Sequence, residues 1–157
     1  MSFDPPKARP IQASRLKVAI VAARFNQRLV DALLAQATAK LRAAGVKAAN
    51  VHIGRVPGSA ELPFGAQDML KRFRPHVVLA LGVIVRGDTI HYQLVAEAAQ
   101  QGLLRVGLDA RTPVIAGIVV GENQEQAEAR CTGAIDRGAE FAQAALEMAA
   151  FSRQFST

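Results

Sequence analysis

The sequence predicts a doubly wound α/β sandwich, in which a four-stranded parallel sheet is covered by helices on both faces. Short runs of β-branched and aliphatic residues alternate with longer segments whose apolar residues recur at helical spacing. The longest run, residues 77–85, is almost continuously apolar, as is typical of a parallel strand buried on both faces. No hairpin signal separates consecutive strands, so we expect right-handed crossovers through helices.

The elements follow from these patterns in chain order. Residues 17–22 (KVAIVA) form the first expected strand, and a helix with apolar residues on one face follows, with Gly45 as its stop. The next helix carries Pro63 in its first turn, where proline is tolerated. Glycine also predicts the end of the third helix, at Gly102. The remaining predicted elements are strand 51–56, helix 61–71, strand 77–85, helix 89–101, strand 114–120 and helices 123–131 and 137–151.

Residues 1–14 contain prolines and predict an irregular arm, which we expect to be an exchange segment between subunits. Residues 15–157 then form a single domain, because 157 residues that are 50% hydrophobic suit one ordinary core. The expected strand and helix order is flavodoxin-like.

Composition excludes several classes of protein. A single cysteine, Cys131, allows neither an intrachain disulfide nor a cysteine metal cluster, and it suits a reducing cytoplasm. No signal-peptide pattern and no apolar run of membrane-spanning length is present, so we expect no membrane partner.

The formal net charge of +6 raises the possibility of an anionic partner. Lys71, Arg72 and Arg74 surround Phe73, a pattern that could bind single-stranded nucleic acid. Because Pro75 follows at once, the cluster is better interpreted as the last turn of a helix, where cations complement the helix dipole. The other basic residues are scattered, and we expect no nucleic-acid partner.

The loops at the carboxyl ends of the strands are the expected location of a ligand site. After the third strand, Arg86, Gly87, Asp88 and Thr89 predict a polar turn into a helix, where free amides attract phosphate or carboxylate. His91 falls in the first helical turn, and its imidazole can exchange a proton near neutral pH. A histidine without catalytic duty remains the alternative.

Two further loops should lie at the same end of the sheet. The segment PGSAELP brings Ser59 and Glu61 to a helix start, where they either bind a polyhydroxylated ligand or cap the helix. Phe25 and Asn26 follow the first strand, although a lone loop phenylalanine is usually a packing residue. Arg130 on the helix after the last strand is either a phosphate ligand or a surface residue.

Other classes of site lack their signatures. His52 and His76 have no comparable neighbours, and no two histidines have metal-ligand spacing, so we expect no metal. The glycine patterns of dinucleotide-binding, phosphate-loop and nucleophile-elbow proteins are also absent.

Four motifs together strongly resemble the lumazine synthase family, over about residues 15–155. They are ARFN at residues 23–26, VPGSAELP at 56–63, RGDTIHY at 86–92 and ENQEQAEAR at 122–130. The resemblance implies condensation of 5-amino-6-ribitylaminopyrimidinedione with 3,4-dihydroxy-2-butanone 4-phosphate to 6,7-dimethyl-8-ribityllumazine in riboflavin biosynthesis, with release of phosphate and water. It implies no organic cofactor, metal or catalytic lysine, because the substrate's own amine forms the imine.

The resemblance also implies roles for individual residues. His91 would transfer protons and Phe25 would stack on the pyrimidine. The other expected pyrimidine and ribityl contacts are Asn26, Ser59, Ala60, Glu61, Val83, Ile84, Val85, Ala116 and Arg137, and the expected phosphate contacts are Arg86, Gly87, Asp88, Thr89 and Arg130.

Members of the family form pentamers, some of which assemble into shells of 60 subunits, with active sites shared between neighbours. We therefore expect a homo-oligomer, in which Ala116, Arg130 and Arg137 come from the adjacent subunit. The arm resembles a segment that reaches onto a neighbouring sheet and covers an edge strand.

Three departures from the family pattern stand out. Ala60 and Ala116 occupy positions where many members carry an aromatic, and Arg137 replaces a frequent lysine after a loop that is a residue shorter. Two alternatives stay open on the same scaffold: a noncatalytic flavin- or lumazine-binding protein, whose pocket the missing aromatics would widen, and a shell-forming structural protein.

Overall fold

A computed structural model describes residues 4–155, in which each of four strands is followed by an α-helix and a fifth α-helix comes after the last of these. The strands are β1 (Val18–Ala23), β2 (Val51–Val56), β3 (Val77–Val85) and β4 (Val114–Gly121). The helices are α1 (Gln27–Ala43), α2 (Leu62–Phe73), α3 (His91–Ala110), α4 (Gln124–Cys131) and α5 (Arg137–Gln154), with short 3-10 turns at Ala48–Asn50 and Ser59–Glu61.

All strand pairs are parallel and the sheet order is β2-β1-β3-β4, which confirms the predicted doubly wound, flavodoxin-like fold. The chain reverses its direction of travel across the sheet between β1 and β3, because β2 lies on one side of β1 and β4 lies beyond β3. The crevice at such a switch point is where open α/β sheets bind ligands.

The two central strands are buried on both faces, so their side chains divide between two hydrophobic clusters. Ile20 and Leu79 point into the cluster that holds α1, α4 and α5. Val21 and Ala80, one residue further along, point into the cluster that holds α2 and α3. This alternation is the two-residue period of a strand, and it places α4 and α3 on opposite faces of the sheet.

The third helix differs most from the prediction. We expected it to stop at Gly102, but α3 continues to Ala110 and ends at Arg111, which adopts a left-handed conformation with φ of 51°. Gly102 is instead a packing residue, because a Cβ there would lie 2.6 Å from Cγ of Pro63. The glycine permits α3 to cross closely over the start of α2.

Part of the arm packs on its own domain. The backbone amide of Arg9 donates to Glu147 on α5 at 3.1 Å, and Gln143 donates to the carbonyl of Arg9 at 2.8 Å. Ala13 is fully buried, so the core begins before residue 15. No strand forms in residues 4–14, and the expected exchange with a neighbouring subunit stays a prediction.

Candidate functional site

A cavity of about 470 Å³ opens at the switch point of the sheet, between the carboxyl ends of β1 and β3. Its walls come from the β1–α1 loop, the turn before α2, the end of β3 and the first turns of α3. The lining residues are Phe25, Asn26, Gly58, Ser59, Ala60, Glu61, Val83, Ile84, Val85, Gly87, Thr89, His91, Tyr92 and Val95.

Asn26 ties the two central strands together at the cavity. Its backbone is left-handed, with φ of 54°, a conformation that asparagine tolerates better than most residues. In this position its side-chain amide donates to the carbonyl of Val83 at 2.8 Å. Phe25, just before it, leaves 71% of its surface exposed, so the phenyl ring is a free apolar face at the rim.

A hydrogen bond between two of its own residues stabilises the turn before α2. The Glu61 carboxylate accepts from the backbone amide of Gly58 at 2.8 Å, which is the capping interaction that the sequence suggested as one alternative. Ser59 is only 5% exposed and packs against β3, where a Cβ on Gly82 would lie 2.5 Å from its hydroxyl oxygen. Ala60 and Glu61 remain exposed. Glu61 therefore caps the turn, and it lines the cavity at the same time.

The β3–α3 turn is open to solvent throughout. Residues 86–91 are all exposed, and a Cβ on Gly87 would meet no atom within 4 Å. Ile90 occupies the N-cap position of α3, but its side chain makes no capping hydrogen bond. The Thr89 hydroxyl accepts from the amide of His91 at 3.3 Å, a long bond. An anion can therefore approach the start of α3 without displacing packed atoms.

His91 is the first residue of α3 and faces the cavity. The other two histidines have structural surroundings. His52 stacks on Phe73, with ring centroids 4.1 Å apart. His76 accepts at Nδ1 from the backbone amide of Lys17 at 2.9 Å, and burial, followed by Arg153 and Lys17, lowers its pKa.

Arg86 follows β3 and is paired rather than free. Its Nη1 donates to the Glu122 carboxylate at 2.9 Å, and this hydrogen bond raises the pKa of the guanidinium above its ordinary value. The guanidinium carbon also lies 6.0 Å from the centre of the Tyr92 ring.

The remaining predicted site residues lie outside this cavity. Arg130 is half-buried on α4, where Nη1 donates to the carbonyl of Gln126 at 2.9 Å. Arg137, at the start of α5, pairs with Glu140. Ala116 lies on β4 and packs on the α2 and α3 side of the sheet. Asp88 is exposed on the turn but does not line the cavity.

The structure adds Gly58, Tyr92 and Val95 to the residues predicted from sequence. Val95 is four residues after His91, a spacing that puts both on one face of α3, so helical periodicity was the available signal. Tyr92 lies three residues before Val95, so the same periodicity was available for it.

A second cavity of about 570 Å³ lies between the arm and helices α1 and α5. None of the predicted site residues lines it, so its size alone does not make it the functional site. Within residues 4–155, no group of three or more His, Cys, Asp or Glu side chains is arranged to hold a metal ion. No helix in that range combines the length and apolar character needed to cross a membrane.

Comparison with known proteins gives a consistent result. Residues 15–153 match the family model described as 6,7-dimethyl-8-ribityllumazine synthase. A protein of that name from Paracidovorax citrulli is 38% identical over 153 residues, which cover 98% of this chain and 97% of the relative. Those from Stenotrophomonas maltophilia (strain R551-3) and Chromobacterium violaceum are 43% and 40% identical, over 84% and 85% of this chain and 86% and 84% of the relatives. The chain belongs to the 6,7-dimethyl-8-ribityllumazine synthase family.

Proposed function

We propose that this protein is a transferase of riboflavin biosynthesis that forms 6,7-dimethyl-8-ribityllumazine. The substrates are 5-amino-6-ribitylaminopyrimidinedione and 3,4-dihydroxy-2-butanone 4-phosphate, and the reaction releases phosphate and water. One observation carries the proposal beyond family membership. A single cavity combines an exposed aromatic ring, polar groups for a hydroxylated chain, an open anion-accepting turn and a histidine.

The pyrimidine and its ribityl chain would occupy the side of the cavity formed by β1, β3 and the turn before α2. The Phe25 ring is exposed and can stack on a planar heterocycle. The end of β3 supplies an apolar wall, and Glu61 and Asn26 offer polar groups to the ribityl hydroxyls. Ser59 would contribute from a buried position that β3 fixes.

The phosphate of the second substrate would bind at the β3–α3 turn. Gly87 leaves open space there, and the first turn of α3 presents backbone amides and the positive end of a 20-residue helix. Asp88 and Thr89 complete the turn. Arg130 would add a guanidinium, which offers paired donors to phosphate oxygens.

His91 would transfer protons during imine formation and phosphate release. The amine that forms the imine belongs to the pyrimidinedione, so the protein is required to hold two substrates together and to move protons. Proximity accounts for a large share of the rate in reactions of this kind. No catalytic role is assigned to a lysine or a metal.

The protein would act as a homo-oligomer of pentameric rings. Arg130, Arg137 and Ala116 lie outside the cavity of their own chain, and α4 is on the opposite face of the sheet from α3. Contributions from an adjacent subunit would complete the phosphate and pyrimidine subsites. The proposed location is the cytoplasm.

The direct test mixes purified protein with both substrates and follows the absorbance of the lumazine product. We expect a rate well above that of buffer. A rate equal to that of buffer, from folded protein that still binds the pyrimidine, would exclude the enzymatic proposal.

A second candidate is a noncatalytic flavin-binding protein. It is favoured by Ala60, which lines the cavity with a small exposed side chain and leaves room for a tricyclic ring. Riboflavin fluorescence quenching measures this binding. Tight riboflavin binding together with no product formation would support the second candidate over the first.

A further inference from the structure

The loops after β3 and β4 are joined at two points by one residue. The Arg86 backbone amide donates to the carbonyl of Gly121 at 2.9 Å, and the Arg86 guanidinium donates to the Glu122 carboxylate at 2.9 Å. The first bond continues the β3–β4 ladder, whereas the second lies beyond the sheet. Arg86 therefore fixes where the β3–α3 turn leaves the sheet.

The same guanidinium approaches the other end of this turn. Its central carbon lies 6.0 Å from the ring centre of Tyr92, which follows His91 and lines the cavity. A cation at this distance from an aromatic ring is attracted to the ring face. One side chain thus contacts both the β4–α4 loop and the first turn of α3.

Little else fixes the turn. Residues 87–90 are exposed, Ile90 provides no side-chain cap for α3, and the bond between Thr89 and the amide of His91 is long at 3.3 Å. Gly87, the first of these residues, adds backbone freedom directly after Arg86. The position of His91 relative to the cavity therefore depends on how the ends of the turn are held.

We propose that the Arg86–Glu122 pair is a positioning device that sets the β3–α3 turn, and with it His91 and the phosphate subsite. Arg86 acts through Glu122 and Tyr92, not as a direct phosphate ligand. This inference rests on the proposed function, because it refines the roles of residues in that site.

The alternative role of Arg86 makes an opposite prediction for Glu122. If the guanidinium bound phosphate directly, the Glu122 carboxylate would compete with the phosphate for it, and removing that charge would tighten phosphate binding. If the pair positions the turn, loss of either partner releases the same segment, and phosphate binding weakens in both cases. The sign of the Glu122 effect therefore separates the two roles.

Stability should change little in either case. Both side chains of the pair are 57% exposed, and ion pairs between exposed side chains contribute little to folding. A loss of phosphate binding in a variant of unchanged thermal midpoint thus reports on the site.

The experiment measures binding of inorganic phosphate by calorimetry to the assembled wild type, Arg86→Met, Glu122→Gln and the double variant. We expect each single variant to weaken phosphate binding by roughly ten-fold, and the double variant to lose no more than either single one, because coupled neighbours do not contribute additively. Arg72→Met is the matched control, since it breaks another exposed pair, Arg72–Asp68 at 2.6 Å, at the far end of α2.

Two results would overturn the proposal: tighter or unchanged phosphate binding in Glu122→Gln, or losses that multiply in the double variant. The same proteins are then assayed for turnover, where we expect the kcat of both single variants to fall together. A wild type that forms no lumazine would defeat the proposed function, while the phosphate measurements would still decide the role of the pair.

Discussion

At the scale of single residues, His91 is the group on which the chemical proposal depends. It lines the cavity as the first residue of α3. We expect His91→Ala to lower kcat by about 100-fold, the lower range for loss of a general acid or base, while a rate above buffer persists because the cavity still holds both substrates together. His52→Ala is the control, since His52 stacks on Phe73 outside the cavity. Full activity in His91→Ala would contradict the assigned role.

His76 predicts a dependence of stability on pH. Its Nδ1 accepts from the Lys17 amide and its own amide donates to the Lys17 carbonyl at 2.8 Å, so the residue joins the starts of β1 and β3. Burial, then Arg153 and Lys17, lower the pKa of the imidazole in the folded protein. The unfolded chain, where a histidine titrates at about pH 6.5, therefore binds more protons than the folded chain as pH falls through that range.

It follows that the free energy of unfolding decreases as pH falls below about 6.5, until the folded imidazole is also protonated. Thermal midpoints of wild type and His76→Asn, measured at about pH 7.5 and about pH 5, check this, because Asn keeps an acceptor near Nδ1 but does not titrate. The wild type should lose more stability on acidification than the variant. Equal losses would show that other groups cause the acid sensitivity.

Many of the residues that line the cavity could be predicted from the sequence. Phe25, Asn26, Ser59, Glu61 and His91 come from three separate loops, and the structure brings them to one cavity. Their common location was predictable because the carboxyl ends of parallel strands meet at one edge of a sheet. Their roles in binding and proton transfer stay predictions. The pairing of Arg86 with Glu122 was not predictable, because either side chain alone fits a surface loop.

At the scale of elements, Gly82 links the packing of β3 to the site. A Cβ there would lie 2.5 Å from the Ser59 hydroxyl oxygen and 3.1 Å from Cδ1 of Leu62. We expect Gly82→Ala to cost about 1–3 kcal/mol of stability by overpacking. It should also raise KM for the pyrimidine substrate, since the turn before α2 has to move. Denaturation and steady-state kinetics with each substrate varied in turn measure both effects.

Gly87→Ala is the matched comparison, because a Cβ there meets open space. We expect it to leave stability unchanged and to raise KM for the phosphate-bearing substrate. If Gly82→Ala and Gly87→Ala gave the same kinetic pattern, the division of the cavity into a ribityl side and a phosphate side would be wrong.

Gly102 shows where prediction of elements from sequence fails. A glycine after a run of helical residues normally indicates a helix end, yet α3 continues for eight further residues to Ala110. The reason is tertiary: the residue faces Pro63 on α2, where no side chain fits. The helix ends at Arg111, where an arginine instead of a glycine adopts the left-handed conformation. The sequence therefore contained no glycine to indicate this end. Local patterns predicted the fold class, but helix packing decided this boundary.

At the scale of the whole molecule, the residues proposed for phosphate binding lie on elements that pack on opposite faces of the sheet. The cavity is walled by α3 and the turn before α2 together with the ends of β1 and β3, whereas Arg130 is on α4, which packs on the opposite face of the sheet from α3. We proposed that Arg130 binds phosphate in the site of an adjacent subunit, so a variant that lacks Arg130 should damage a different site from the one its own His91 lines.

This geometry predicts complementation between two impaired variants. In rings assembled from equal amounts of His91→Ala and Arg130→Met subunits, about one quarter of the sites would combine an intact His91 with an intact Arg130 from the neighbour, because each site draws one residue from each of two randomly chosen subunits. The mixture should then be clearly more active than the mean of the two parents.

Sedimentation of differently tagged subunits verifies that mixed rings form. Wild-type protein that is dissociated and reassembled in the same way corrects for activity lost in the procedure. Mixed rings with only the mean parental activity would place both residues in one subunit's site, and the two-layer argument for a shared site would fail.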